Sequence, residues 1–314
     1  MMTEAAPRVL SLVPAGTEIV AALGAEDTLV GVTHECDYPP SVASLPRVTA
    51  SVVDGEMSAA AIDAQVRALS ERGVPMFSVR ADDLARLAPT HIITQTLCDV
   101  CAVTEGDVRS VAEVLPTPPR IVPLTGRTLD GVWNDMRAIG DALGRADTAE
   151  RLVGDIEARF RRVHERLKAA RAPRPRVAVI EWLDPLYVAG HWTPELVRRA
   201  GGVDVLAEPG AHSVRVTVEQ VREANPEIVL FAPCGFDVVR AEREAAELLA
   251  MAEWEWARGL QCWALDGNAL TSRPGPRLAD AAEVMAAIVA PSVFAEPSRR
   301  FARRVSGRRG AASE

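Results

Sequence analysis

The feature that most constrains the fold is a long proline-free stretch in the middle of a proline-rich chain. The 314 residues include 22 prolines, yet none lies between Pro123 and Pro173. Apolar residues recur through that stretch at helical spacing, which predicts one or two long helices. Gly140, Gly144 and Gly154 weaken the case for a single unbroken helix, because glycine is a poor helix former.

On both sides of this stretch, strand-like and helix-like segments alternate, which predicts βα units and largely parallel sheets. The N-terminal strands are predicted at Val9–Val13, Leu29–Thr33, Pro46–Thr49, Met76–Val79, His91–Thr96 and Ile121–Leu124. The C-terminal strands are predicted at Val177–Trp182, Leu186–Ala189, Glu227–Ala232 and Cys262–Leu265. The sequence therefore predicts an α/β fold in which a long α-helix joins two Rossmann-like lobes with mainly parallel sheets.

The same pattern predicts the domain boundaries. We expect an N-terminal α/β lobe at residues 1–124, the linking helix at 125–172 and a C-terminal α/β lobe at 173–292. A basic tail follows at 293–314, where residues 295–314 contain six arginines and two glutamates. Its many serine, glycine and alanine residues predict disorder.

Composition narrows the class of partner. The net charge is −8 although the tail is basic, so the body of the chain is acidic and disfavours a nucleic-acid groove. No segment approaches the roughly 18 uncharged apolar residues that span a membrane. The N-terminal residues contain no basic leader followed by a long apolar core. We therefore expect a cytoplasmic protein without membrane insertion, whose five cysteines are free thiols.

Four of the cysteines follow directly on strand-like runs. Cys36, Cys98, Cys101 and Cys234 lie just past predicted strand ends, whereas Cys262 begins a strand and is excluded. Ligands in open α/β sheets sit outside the carboxyl ends of the strands. The sequence therefore predicts a ligand site at these positions.

Three interpretations of the N-terminal cluster are open. His34, Cys36, Cys98 and Cys101 offer one imidazole and three thiolates, a ligand set that suits zinc or iron. The Cys-x-x-Cys spacing also fits a redox dithiol. Alternatively, these cysteines pack loop ends or line a pocket, since free cysteine is among the most buried residue types.

Three neighbours of these cysteines are further candidates for ligand contacts. Asp37 and Asp99 each follow a cysteine, and either accept hydrogen bonds from amide groups of a ligand or cap a helix. Tyr38 precedes two prolines, whose rings stiffen the loop and hold the phenol in a fixed direction.

The C-terminal lobe offers aromatic chemistry instead. Trp182 and Asp184 end one predicted strand, and His191 and Trp192 end the next, which would place two indoles and an imidazole at one rim. Such side chains suit a large planar ligand, and His191 could bind a metal centre or a polar substituent. Trp182 is equally well explained as a core residue.

Later strand ends add further candidates. Phe236 follows Cys234 after a strand, and Asn268 and Arg273 follow the last strand. The prolines around Arg273 stiffen its loop, so the guanidinium would pair with a phosphate or carboxylate of the ligand or with an aspartate of the other lobe.

The opening segment, residues 8–19, resembles the class III, helical-backbone family of periplasmic substrate-binding proteins, and the resemblance extends over residues 8–290. Within that family the chain is most similar to the cobalamin-binding branch of ABC importers. The matching motifs are residues 31–39, Leu97-Cys98-Asp99-Val100-Cys101, Ala189-Gly190-His191-Trp192, Asp266-Gly267-Asn268 and residues 272–277.

The resemblance implies a binding protein that holds cobalamin or another corrinoid in a cleft between the lobes. Because no export is predicted, we expect intracellular binding, storage or sensing rather than delivery to a transporter permease. A zinc or iron protein and a cysteine-dependent enzyme are the alternatives. The enzyme hypothesis has less support from the sequence, because the chain has no Gly-x-Ser-x-Gly elbow and no phosphate-binding loop.

Overall fold

The computed structural model describes residues 6–96 and 115–306. They divide into two units, with the boundary between Asp155 and Ile156. We call these the N-terminal unit and the C-terminal unit. The boundary falls within one helix, so each unit contains part of that helix.

The N-terminal unit alternates strands and helices. In chain order they are β1 (Val9–Ser11), α1 (Pro14–Ala22), β2 (Leu29–Val32), β3 (Thr49–Ser51), α2 (Ala59–Glu71), β4 (Phe77–Val79), α3 (Ala81–Leu87), β5 (His91–Gln95), β6 (Arg120–Leu124), α4 (Leu129–Ala142) and α5 (Ala146–Ala169), which crosses the boundary. Four strands form a sheet in the order β2-β1-β5-β6, and all three pairings are parallel. All three residues of β1 are buried, as expected for a strand covered on both faces.

Two predicted strands do not extend this sheet as full strands, although Arg47, in the predicted strand Pro46–Thr49, forms an isolated parallel bridge with Val32 of β2. β3 and β4 begin later than the sequence predicts and pair with each other antiparallel, as a separate two-stranded sheet. In both strands the central residue, Ala50 or Ser78, is exposed. Such alternation suits a ribbon with one solvated face better than a strand buried between helices.

The proline-free stretch forms two helices rather than one. Gly144 adopts a positive φ of 65° between α4 and α5, which ends the first helix. The side chain of Thr128 caps the start of α4 by accepting a hydrogen bond from the backbone N–H of Gly131. Of the two alternatives that the spacing allowed, the structure therefore has the broken helix.

The C-terminal unit is built around one larger sheet. After the end of α5, its elements are β7 (Arg176–Leu183), β8 (Leu186–Val188), α6 (Thr193–Arg199), β9 (Val203–Asp204), β10 (Val214–Arg215), α7 (Val218–Glu223), β11 (Ile228–Phe231), α8 (Val238–Ala250), β12 (Gln261–Leu265), α9 (Gly267–Leu270), α10 (Leu278–Val289) and β13 (Ala302–Arg304). The strand order is β10-β8-β7-β11-β12-β13, with β9 also pairing with β7. The central strands β7, β11 and β12 are parallel, so their carboxyl ends meet at one edge.

β8 runs against its neighbour. It pairs antiparallel with β7, with Ile180 opposite Val188 and Leu183 opposite Leu186. A parallel pairing needs a crossover of about a dozen residues, whereas only two residues separate these strands. They therefore form a hairpin, and the ends of β7 and β8 point in opposite directions.

The C-terminal tail is ordered further than its composition predicts. β13 pairs antiparallel with β12, and its Ala302 is buried. Arg303 forms an ion pair of 2.8 Å with Glu242. The prediction of disorder from residue 293 is therefore wrong for residues 293–306, because strand pairing and a buried apolar residue outweigh the local charge. Residues 307–314 lie outside the described residues.

Candidate functional site

In the N-terminal unit, His34 lies in the loop that follows β2. Its Nδ1 atom is 2.7 Å from the hydroxyl oxygen of Thr49, and the ring is half-buried against Phe77, with ring centroids 5.6 Å apart. Burial lowers the pKa of this imidazole, and the nearby charge of Arg47 lowers it further. His34 is therefore a neutral imidazole in a fixed orientation at neutral pH.

Arg47 fixes the loop itself. Its Nη1 atom donates to the carbonyl oxygen of Thr33 at 3.1 Å and to that of Cys36 at 2.5 Å. Two carbonyl groups are thus held by one rigid guanidinium. Sequence reasoning missed this residue because it lies outside the strand-end motifs.

Cys36 faces the protein interior. It is buried, and its Sγ atom is 3.0 Å from the hydroxyl oxygen of Thr17 in α1. This contact favours the packing interpretation for Cys36. Asp37 and Tyr38 follow it on the surface, where Tyr38 is 40% exposed.

The metal and redox interpretations need cysteines that cannot be placed. Cys98, Asp99 and Cys101 lie outside the described residues. Within residues 6–96 and 115–306, no three His, Cys, Asp or Glu side chains group as a metal site. A zinc or iron centre at His34, Cys36, Cys98 and Cys101 stays a prediction.

In the C-terminal unit, aromatic rings meet at the carboxyl ends of β7 and β11. The ring centroids of Trp182 and Phe236 are 5.4 Å apart. On Phe236 the guanidinium carbon of Arg240 lies 3.5 Å from the ring centroid, and the Arg240 Nε atom is held by Glu244 at 2.8 Å. We call Trp182, Phe236 and Arg240 the aromatic stack. Trp182 is partly exposed while Phe236 is buried, so the buried phenyl ring supports the indole and the indole offers the contact surface.

Cys234 and Asp184 flank the aromatic stack. The backbone N–H of Cys234 donates to the carbonyl of Glu181 at 3.0 Å, which joins the loop after β11 to the end of β7. The Cys234 side chain is partly exposed, and Asp184 is exposed. Both remain candidates for contact with a ligand.

The loop after β12 reaches the same edge. The backbone N–H of Asn268 donates to the carbonyl of Phe236 at 3.1 Å, and Asn268 Oδ1 accepts from Arg273 Nη2 at 2.8 Å. A Cβ atom on Gly267 would lie only 2.1 Å from the carbonyl oxygen of Pro233, so the start of α9 and the loop after β11 touch through their backbones. The structure thus brings together Phe236, Asn268 and Arg273. Arg273 is 4% exposed and acts mainly within the protein.

His191 and Trp192 lie elsewhere, which corrects the predicted grouping. Because β8 is antiparallel to β7, the residues after β8 do not share a strand-end rim with Trp182. Trp192 is buried, and its Nε1 atom donates to the carbonyl oxygen of Thr271 at 2.9 Å. It is a core residue. His191 packs against Trp192 and against His212.

A buried carboxyl group sits near the end of β9. Asp204 Oδ1 accepts backbone hydrogen bonds from Leu206 at 2.9 Å and Ala207 at 3.0 Å. Burial nevertheless raises the pKa of Asp204 to about 6, and the charge of Glu208 raises it further. The ionised form is therefore unfavourable in the folded unit.

Asp204→Asn is expected to stabilise the C-terminal unit at pH 7.5 by about 2 kcal/mol. The folded-state pKa of Asp204, about 6, lies above its value of 3.8 when unperturbed, so the folded unit binds the extra proton between those values. Its free energy of unfolding should consequently fall as the pH rises from 4 to 6, and this slope should disappear in the variant. Urea unfolding at pH 4.5 and 7.5 measures both effects; equal slopes in the two proteins would refute the assignment.

The fold and the strand-end side chains define a class. The chain has the class III substrate-binding protein fold. Its two α/β units are connected through a helix, and their strands are mainly parallel. Aromatic side chains lie at the carboxyl ends of strands. The chain belongs to the periplasmic binding protein family, whose model matches residues 9–254. It is a binding protein rather than an enzyme.

Individual relatives are distant but match nearly the whole chain. The vitamin B12-binding protein of Vibrio cholerae serotype O1 is 24% identical over 281 residues, covering 88% of this chain and 87% of the relative. An uncharacterised ABC transporter substrate-binding lipoprotein of Bacillus subtilis is also 24% identical, covering 92% of this chain and 82% of the relative.

Solved structures share the fold. A periplasmic heme-binding protein from Pseudomonas aeruginosa is 23% identical, with a TM-score of 0.71, and the match covers 97% of this chain and 99% of the other. The periplasmic vitamin B12-binding protein of Vibrio cholerae is 23% identical with a TM-score of 0.62, covering 90% and 96%. None of the helices in the described part of this chain is long and apolar enough to cross a membrane.

Proposed function

We propose that the chain binds cobalamin or a related corrinoid. The observation that carries this proposal is the aromatic stack, in which a partly exposed indole is backed by a buried ring and a cation. A rigid indole offers a large contact surface at little cost in conformational entropy, which suits a large ring system.

Exposed carboxylates near strand ends match the edge of such a ligand. Corrinoids carry amide side chains around the ring, whose N–H groups need acceptors. Asp184 and Asp37 are exposed carboxylates at strand-end loops of the two units. The vitamin B12-binding relatives support the same assignment. The placement of the ligand in a cleft between the lobes stays a prediction.

Binding, storage or sensing inside the cell is part of the proposal. It is supported by the odd number of cysteines, five, which fits a reducing compartment better than an oxidising one. Fractionation of cells that make the natural protein tests it: recovery with periplasmic or surface proteins would contradict this part of the proposal while leaving corrinoid binding intact.

Heme is the second candidate, favoured by His34. In the tautomer in which Nδ1 donates to Thr49, Nε2 carries a lone pair that can bind iron. The lowered pKa of His34 keeps that lone pair available at neutral pH. Heme titration distinguishes the candidates: a Soret shift that His34→Ala abolishes, without binding of cobalamin, would favour heme.

Trp182→Ala is expected to weaken cobalamin binding about tenfold, because about 1.4 kcal/mol of ring contact is lost. Trp182→Phe keeps a ring on Phe236 and should retain most of the affinity. Calorimetry with cyanocobalamin measures both. Absence of binding to the unmodified protein at about 50 µM, or equal affinity in the alanine variant, would overturn the proposal.

A further inference from the structure

Two histidines of the C-terminal unit lie side by side. His191 follows β8, His212 precedes β10, and their ring centroids are 5.5 Å apart with the planes nearly perpendicular, at 83°. His212 is exposed, whereas His191 is half-buried and its Nε2 atom is buried.

The backbone holds the two rings in place. The N–H of His191 donates to the carbonyl of Ala211 at 2.7 Å, and the N–H of Gly210 donates back to the carbonyl of His191 at 2.9 Å. A Cβ atom on Gly190 would lie 2.5 Å from the Ala211 carbonyl oxygen, so only glycine allows this approach. The two segments are thus locked together beside the imidazoles.

His191 also has a strained backbone. Its φ of 53° lies in the left-handed region, which is unfavourable for a residue other than glycine. The fold keeps this conformation, and it places the ring between Trp192 and His212. A maintained strain of this kind marks positions where a side-chain direction matters.

The spacing of the rings matches a shared metal ion. A metal–nitrogen bond of about 2.0–2.1 Å puts each imidazole centroid about 3.2 Å from the ion. Two imidazoles at a tetrahedral angle then have centroids about 5.2 Å apart, whereas imidazoles on opposite sides of an ion are about 6.4 Å apart. The observed 5.5 Å agrees with the adjacent arrangement.

We infer that His191 and His212 form a site for a divalent first-row transition metal ion such as zinc, with two adjacent imidazole ligands. The segment from Asp204 to Ser213 carries two carboxylates, Asp204 and Glu208, and no lysine or arginine. Its negative charge favours a cation, and imidazole suits ions at the zinc and copper end of the series.

This metal is not the one at the centre of a heme or corrinoid. Such a macrocycle occupies the equatorial positions of its metal and leaves only positions on opposite faces of the ring. Two imidazoles at the adjacent spacing cannot both reach them. The inferred site therefore takes an ion on its own, and it holds whether or not the chain binds a corrinoid.

Zinc titration of the full chain, purified without a histidine tag, tests the inference. We expect one bound equivalent, with affinity lowered about tenfold or more by His212→Ala and by His191→Asn, since asparagine tolerates the left-handed conformation. His164→Ala, an exposed histidine on α5, is the matched control and should bind as the unmodified protein does. Cobalamin binding should not change in His212→Ala.

Cobalt(II) provides a readout that does not depend on affinity. Two imidazole ligands should give weak d–d bands without the intense thiolate-to-metal charge-transfer absorption of a cysteine site. Unchanged zinc affinity in His212→Ala would overturn the inference. So would thiolate absorption that disappears in a Cys98→Ser, Cys101→Ser protein, because the ion would then lie in the N-terminal unit.

Discussion

The Phe236→Ala protein is expected to lose about 3–5 kcal/mol of free energy of unfolding in its C-terminal unit, and its corrinoid binding with it. Phe236 is 3% exposed and lies between Trp182 and Arg240. Its removal leaves a cavity beneath the indole and removes the ring that the guanidinium covers. Urea unfolding followed by tryptophan fluorescence measures the first effect, and calorimetry the second.

Phe294→Ala is the matched control for this loss. Phe294 belongs to the same unit and also carries an arginine over its ring, with the guanidinium carbon of Arg166 at 4.2 Å. It is only partly buried and lies outside the strand-end loops, so its removal should cost about 1 kcal/mol and leave binding unchanged. An equal cost for the two variants would show that the aromatic stack has no special role.

Gly267→Ala is expected to destabilise the C-terminal unit by about 3 kcal/mol and to weaken ligand binding strongly. The new methyl group would meet the backbone of the loop after β11, with the Pro233 carbonyl oxygen at 2.1 Å. Since backbone cannot rotate aside as a side chain can, α9 and the loop after β11 must separate, which displaces Asn268 from Phe236.

Gly259→Ala supplies the control, because a Cβ atom at Gly259 meets no other atom within 4 Å. Its free energy of unfolding should stay within about 0.5 kcal/mol of the unmodified value. Thermal unfolding and cobalamin titration of the two variants check the prediction. If both variants behave alike, close backbone contact does not hold this edge of the sheet.

The sequence predicts a helix or strand correctly where one physical property of the segment determines it. An unbroken apolar run locates β11, since a strand buried on both faces needs one. Ser58 caps α2 by accepting a hydrogen bond from the N–H of Ala61, and serine is a preferred residue at the start of a helix. The direction of a strand, by contrast, cannot be predicted from its apolar residues. The apolar run at Leu186–Val188 predicts a strand but carries no information on its orientation, which follows from the two-residue connection before it.

The sequence predicts which strand ends contribute to the site, but it does not predict the direction of each side chain. The rule that ligands lie at carboxyl strand ends locates the loops of His34, Trp182 and Phe236. Which way a loop side chain points depends on tertiary partners. Cys36 turns towards Thr17 and Trp192 towards Thr271, and neither partner is near in sequence. Arg240 escaped prediction although it lies four residues after Phe236, because the backbone between them is part loop and part helix.

Cys234 gives the protein a built-in attachment point for a reporter dye. Its thiol is partly exposed, whereas Cys36 and Cys262 are buried and burial raises the pKa of Cys262 to about 11. Alkylating reagents select exposed thiolates. With Cys98 and Cys101 replaced by serine, a maleimide fluorophore should therefore label Cys234 alone, two residues from Phe236. Its emission would then report occupancy of the neighbouring surface, which turns the chain into an optical sensor for its own ligand.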